Sequence, residues 1–230
     1  ICKVILAENR IRENEGRKPV MLVYDQVYST MTAEHIEHVH PVQVCPEICD
    51  YTITLDAISK SLTGTGLRLG WMALPPALAP PVVALIGHMG AWPARPIQKA
   101  AAKLYAQPAV LEEYFVDLDQ RIADRMSVLQ ERLGKLSEYG VSYVQPEGGI
   151  YLTARFDLFN PLGVDTNEEI RQWLLESAGV AIVPFQAFGL EEETGWFRIS
   201  IGAVSVSEII AAMDRLESAL RTAFDCEPLS

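Results

Sequence analysis

Ala57-Ile58-Ser59-Lys60-Ser61-Leu62-Thr63-Gly64-Thr65-Gly66-Leu67-Arg68-Leu69-Gly70 places one lysine just after a short apolar run and one arginine eight residues later, across glycines. The run before it, Tyr51-Thr52-Ile53-Thr54-Leu55, is β-branched and aromatic and reads as a buried strand. Open α/β sheets form their ligand sites at the carboxyl ends of strands. The Lys60 amine is therefore a candidate nucleophile toward an aldehyde.

Upstream, Val20-Met21-Leu22-Val23-Tyr24 is a continuous apolar run of buried-strand length that stops at Asp25. An amphipathic helix pattern from Ile1 to about Glu15 precedes it, joined by Gly16-Arg17-Lys18-Pro19. Helix followed by buried strand is half of a βαβ unit. The segment from Met31 to Pro46 is polar and proline-broken, and it reads as a loop with at most a short helix.

Downstream, Leu67 to Leu74 reads as a third strand ended by Pro75-Pro76, and Val82 to Met89 as a helix after Pro80-Pro81. Gly90-Ala91-Trp92-Pro93 breaks that helix, and Pro96 to Ala106 reads as another. Leu111, Phe115, Leu118, Ile122, Met126, Leu129 and Leu133 recur at three- and four-residue spacing, which predicts one long amphipathic helix from Val110 to Leu136. Shorter elements follow: strands over 141–144, 150–155, 180–183 and 196–201, and helices over 167–177 and 208–220. The expected architecture is α/β, with part of a mostly parallel sheet domain over 1–110. The long helix and a small α+β domain occupy 111–230.

The 230 residues are 49% apolar, enough for one large core or two small ones. A net charge of −11 argues against a broad basic surface for nucleic acid or anionic lipid. Any anion must be held by a few placed cations. No stretch reaches the roughly 18 apolar residues of a membrane span, and Ile1 to Ala7 has no basic leader. A soluble, cytoplasmic protein is expected, with Cys2, Cys45, Cys49 and Cys226 as reduced thiols. His35, His38, His40, Cys45 and Cys49 fit no closed zinc spacing and read as a polar surface loop, so no metal site is expected. Glu191-Glu192-Glu193 reads as a solvated loop.

Asp25 and Tyr28 form an Asp-x-x-Tyr at one strand end, and Lys60 stands 35 residues later at the end of the next. Neighbouring strand ends can bring the three together. A carboxylate for a ring nitrogen, a phenol for a ring oxygen, an amine and the guanidinium fork of Arg68 are what a pyridine-aldehyde phosphate needs.

These residues, with Pro146 to Tyr151 as Pro-x-Gly-Gly-x-Tyr and Arg198/Ser200 as Arg-x-Ser, resemble the motif series of class I/II aminotransferases. Those are fold type I enzymes dependent on pyridoxal phosphate. The resemblance implies that Lys60 forms the Schiff base and acts as general base, that Asp25 partners the pyridine nitrogen and that Tyr28 partners the ring oxygen. It further implies that Arg68, with Ser59 as a further donor, binds the cofactor phosphate, and that Arg198 binds the substrate α-carboxylate. The substrates would be an α-amino acid and a 2-oxo acid, and the full-length parent a homodimer. Gly148-Gly149 and Tyr151 read as a turn into a strand, and Gly64 and Gly66 as places of close backbone approach. His88 and Trp92 are explained equally by the substrate pocket and by helix packing.

Two departures stand out. The family's serine three residues before the lysine is Ala57 here. The glycine-containing phosphate loop, the ring-stacking aromatic and the Asn-Pro-x-x-Gly segment of the family's amino-terminal half are not in this sequence, so a carboxy-terminal portion is expected. Its sheet would then carry an exposed apolar edge. A lyase of the same fold, or the aminotransferase-like sensor domain of a transcription regulator, would carry the same motifs. A portion without function by itself is the third reading.

Overall fold

A computed structural model describes residues 1–225 of the chain. Cys226 lies outside the described residues. The chain divides into two compact units, Ile1–Phe115 and Val116–Ser230.

The first unit opens with helix α1, Cys2–Asn14. Its apolar residues are at most half-buried, as at Ile5 and Leu6, and Val4 and Ile11 are exposed. The buried side chain of the helix is Asn9. Asn9 Nδ2 donates to the Val20 carbonyl at 2.9 Å, and the Val20 N–H donates back to Oδ1 at 2.7 Å. Asn9→Ala leaves both Val20 groups short of a partner and is expected to cost about 1–3 kcal/mol. A thermal melt of the variant beside the parent measures it.

Strand β1, Leu22–Asp25, follows. It pairs in parallel with β2, Thr52–Ala57, and β2 pairs antiparallel with β3, Gly70–Ala73. The sheet order is β1-β2-β3. The sequence reading of β1 as a buried strand is corrected here. Among the described residues β1 has a partner on one side only, and Val23 in its middle is 59% exposed. An uninterrupted apolar run reports the absence of a polar face, and it cannot tell a central strand from an edge one.

The segment between β1 and β2 forms helix α2, Pro41–Val44, and a 3-10 helix over Pro46–Tyr51. Tyr51, read as strand, therefore ends a helical turn. Helix α3, Ile58–Ser61, directly continues β2. Helix α4 spans Ala79–Met89 and closes at Gly90, and helix α5 spans Arg95–Tyr105. No residue of α4 is buried, and Val83, Leu85, Met89 and Trp92 all face outward.

Helix α6, Pro108–Lys135, is the long amphipathic helix. The second unit adds β4, Val141–Tyr143, β5, Tyr151–Phe156, helix α7, Phe159–Leu162, and helix α8, Asn167–Ala178. Strands β6, Val183–Pro184, and β7, Trp196–Ser200, precede helix α9, Val206–Asp225. The sheet is antiparallel in the order β4-β5-β7-β6. The strand expected over 180–183 is only the two residues of β6. Val180 and Ile182 are buried without being laddered, since the segment enters the core straight from the α8 cap at Gly179.

The unit's core is one cluster that joins Leu129 and Leu133 of α6, Leu152 and Phe156 of β5, Ile170 and Leu174 of α8, and Leu216 and Leu220 of α9. Among the described residues, no helix is long and apolar enough to cross a membrane.

Candidate active site

The carboxyl ends of β1 and β2 lie side by side because the strands are parallel and in register, with Asp25 opposite Leu55. Past that rung the ends are tied together: the Gln26 N–H donates to the Leu55 carbonyl at 3.0 Å and Gln26 Nε2 to Asp56 Oδ2 at 3.2 Å. The chain then turns through Gln26–Ser29, closed by Ser29 N–H to Gln26 carbonyl at 2.8 Å. The turn delivers Tyr28 beside Lys60, whose Nζ lies 5.5 Å from the ring centroid. Asp25 is exposed, and its Oδ1 accepts from the Val27 N–H at 3.1 Å.

Lys60 sits in the single turn of α3, half-buried. Among the described residues, no carboxylate forms an ion pair with it. Ile58 anchors the turn: its N–H donates to the Leu69 carbonyl at 3.2 Å, and its carbonyl accepts from Gly64 at 3.0 Å. A Cβ on Gly64 would stand 3.2 Å from Ile58 atoms, so the close approach expected there is present. Gly66 has nothing within 4 Å of such a Cβ, which corrects the same reading for that residue.

Ser59 is half-buried, with no hydrogen-bond partner among the described residues. Arg68 is exposed in the left-handed region at φ 53°, as is Thr63 at φ 49°; such backbone is uncommon for residues with a Cβ. Arg68 Nη1 donates to the Thr65 carbonyl at 2.8 Å, which leaves most of its donors uncommitted. Asp25, Tyr28 and Lys60 are thus brought to one pair of strand ends, and Arg68 to the loop that leaves α3.

Tyr105 of α5 was not legible as a neighbour of this loop. Burial pushes its phenol above the ordinary range, a hydrogen bond with Ser61 pulls it down, and the charge of Asp56 adds to the rise. Its ring also meets Trp71 edge-on, at 5.5 Å. Helical spacing gives no hint of which strand a helix residue will face.

Arg198 is in the second unit, on β7, opposite Thr153 of β5 and Val183 of β6. Its guanidinium carbon stands 4.3 Å from the Tyr151 ring centroid and 4.7 Å from that of Phe188. Nε is buried without a hydrogen-bond partner among the described residues. A cation held between two rings, with donors left over, is suited to a carboxylate. Tyr151, read as structural, is therefore a contact of Arg198. The antiparallel register was the missing signal, because Tyr151 lies two rungs from Thr153 and so on the same face. Phe188 was missed altogether, since it ends a 3-10 turn that carries no periodic pattern.

The histidine segment has a structural use. His40 caps α2, with Nδ1 accepting from the Val42 N–H at 3.2 Å and Nε2 2.9 Å from Thr54 Oγ1. Among the described residues, no group of three His, Cys, Asp or Glu side chains could hold a metal ion. The acidic run is more than a solvated loop, for the Glu193 carboxylate accepts from the first N–H of α8, at Asn167, at 2.5 Å.

Residues 10–216 match the family model described as aminotransferase class I and II. The chain is 29% identical over 199 residues to an aspartate aminotransferase of Geobacillus stearothermophilus, which covers 86% of the chain and 48% of that protein. It is 31% identical over 205 residues to an aspartate aminotransferase of Pyrococcus abyssi, with 88% and 49% covered. The crystal structure of an aromatic aminotransferase from Pyrococcus horikoshii superposes with a TM-score of 0.76 at 25% identity, over 96% of the chain and 55% of that structure. The chain spans about half the length of the curated relatives it matches. With a mixed α/β architecture of fold type I and a family match over most of its length, this chain belongs to the class I and II aminotransferases.

Proposed function

We propose that this chain supplies the lysine, the phosphate-binding and the carboxylate-binding residues of an enzyme that moves an amino group between an α-amino acid and a 2-oxo acid. Members of the family use pyridoxal phosphate. The observation that carries the reading is the placement of an uncommitted amine, Lys60, against Tyr28 at the carboxyl ends of two parallel strands that also present Asp25.

When bound, the cofactor supplies an aldehyde carbon for the amine and a protonated ring that withdraws charge from the amino acid's Cα. With the cofactor bound, Lys60 Nζ would hold it and would be the base for the proton at the amino acid's Cα. Asp25 would keep a proton on the ring nitrogen as its hydrogen-bond acceptor. Tyr28 would orient the ring through its phenol, and Arg68, assisted by Ser59, would bind the phosphate with its open donors. Arg198, its guanidinium carbon 4.3 and 4.7 Å from the Tyr151 and Phe188 ring centroids, would take the substrate α-carboxylate. The alanine at position 57 contributes no hydroxyl to phosphate, which leaves that task to Arg68 and the α3 turn.

A cytoplasmic location and a homodimeric parent belong to the same proposal. The free thiols of Cys2, Cys45 and Cys49 suit a reducing compartment.

Mixing the protein with pyridoxal phosphate, reducing with borohydride and mapping the labelled peptide tests the assignment. The expected label is on Lys60. A label spread over surface lysines such as Lys99 and Lys103, with none on Lys60, would refute it.

A further inference from the structure

Arg198 has a support that extends well beyond the two rings touching it. Phe188 ends the 3-10 turn Phe185–Phe188 and is 54% exposed, so the core does not hold its ring in place. The turn closes on itself through Gly189 N–H to Gln186 carbonyl at 3.1 Å and Leu190 N–H to Phe185 carbonyl at 3.3 Å. The turn continues from β6, which pairs with β7, and the Gln186 side chain ties it to α8 and to the acidic segment. Its Oε1 accepts from Asn167 Nδ2 at 2.9 Å, and its Nε2 donates to the Glu192 carbonyl at 2.9 Å and to Glu193 Oε2 at 3.1 Å.

Asn167 is 1% exposed and is the hub of the arrangement. Besides Gln186, it engages Glu193 through its N–H, and its Oδ1 accepts from the Gly195 N–H at 2.8 Å. Gly195 is fixed in turn: its φ is 75°, and a Cβ there would stand 2.7 Å from the Phe156 carbonyl oxygen. The segment that carries Phe188 and the strand that carries Arg198 are therefore referenced to one buried amide at the start of α8.

We propose that Asn167, Gln186 and Glu193 form a positioning latch that seats Phe188 on the Arg198 guanidinium and so preorganises it for a carboxylate. The inference rests on the reading of Arg198 as the carboxylate-binding residue. An arginine left free samples many rotamers, and that freedom is lost when it binds. Ordering the side chain beforehand moves the loss into folding, so that affinity rises without any new contact to the ligand. The guanidinium carbon lies 4.3 Å from one ring centroid and 4.7 Å from the other, and rings this close restrict the rotamers of a group that can meet a carboxylate through two N–H donors.

The test is a titration of the pyridoxal phosphate-loaded protein, labelled with nitrogen-15 arginine, with 2-oxoglutarate as the carboxylate probe. The Arg198 Nε–H resonance is followed. In the parent, ring currents from Tyr151 and Phe188 displace that resonance from its free position. Gln186→Met and Glu193→Ala are expected to return it toward the free position and to weaken the probe by roughly two- to fivefold, the fold-change of one lost exposed cation–π contact. Phe188→Leu should do the same and Phe188→Tyr should restore both. A general structural defect would not be rescued by the ring alone.

Melting curves separate loss of the latch from loss of the fold, and Phe188, being exposed, is the variant whose folding is least at stake. Arg198→Gln binding the probe like the parent would overturn the carboxylate reading. Arg198→Gln losing the probe, while Gln186→Met, Glu193→Ala and Phe188→Leu keep both affinity and resonance, would overturn the latch alone.

Discussion

Under the proposed function, Lys60→Ala is expected to slow amino transfer by about 10³-fold or more while leaving the melting temperature unchanged, because covalent capture and proton transfer at Cα would both pass through its amine. The side chain is half-buried and its Nζ engages the Tyr28 ring rather than a carboxylate, so truncation breaks no ion pair and opens no core cavity. Substitutions of that kind usually stay within about 0.5 kcal/mol of the parent. Steady-state rates with an amino acid and a 2-oxo acid, taken beside a melt, check both halves. A variant within tenfold of the parent would mean that another amine does the work. A variant that is both slow and unfolded would mean that α3 needs the lysine for structure.

Phe197→Ala is the largest expected stability effect, about 3–5 kcal/mol. Phe197 is fully buried on β7 and meets the fully buried Phe156 edge-on at 5.8 Å, in the cluster that joins the sheet to α6, α8 and α9. Deleting its ring leaves a cavity that the surrounding elements cannot close without moving the strand. Since domains of this size are held by only about 5–15 kcal/mol, most of the margin of the second unit would be gone. The denaturant midpoint of the variant reports this directly, and a loss under about 1 kcal/mol would show that the cluster is not the core of the unit. Because Arg198 is the next residue on the same strand, carboxylate binding should fall with the folded fraction. Val83→Ala on α4, 67% exposed, is the control that should change little.

The order of elements was legible because it depends on periodicity and on breakers that act locally. The stripe of α6, the turn at Gly90 and the β-branched run of β2 each carry their own signal. The approach of Asp25, Tyr28 and Lys60 could be expected from two consecutive strands in one sheet. Burial was less legible. The apolar runs of β1 and α4 look like core, yet Val23 and Val83 are exposed, since hydrophobicity states what a segment can bury and not what lies against it.

What the sequence by itself determined is the set of chemical groups and their order: a carboxylate, a phenol, an amine and two guanidinium groups, although Arg68 stands in a loop ahead of β3 and not in the strand read from Leu67. What only the tertiary structure decided is which side chains stand around them. Tyr151 faces Arg198 through the register of an antiparallel pair, Phe188 through an aperiodic turn pinned by Gln186, and Tyr105, 44 residues along the chain, reaches Ser61 from the end of α5. Those neighbours depend on contacts between elements distant in the chain. No local pattern encodes them, because the free energy that selects them comes from packing rather than from propensity.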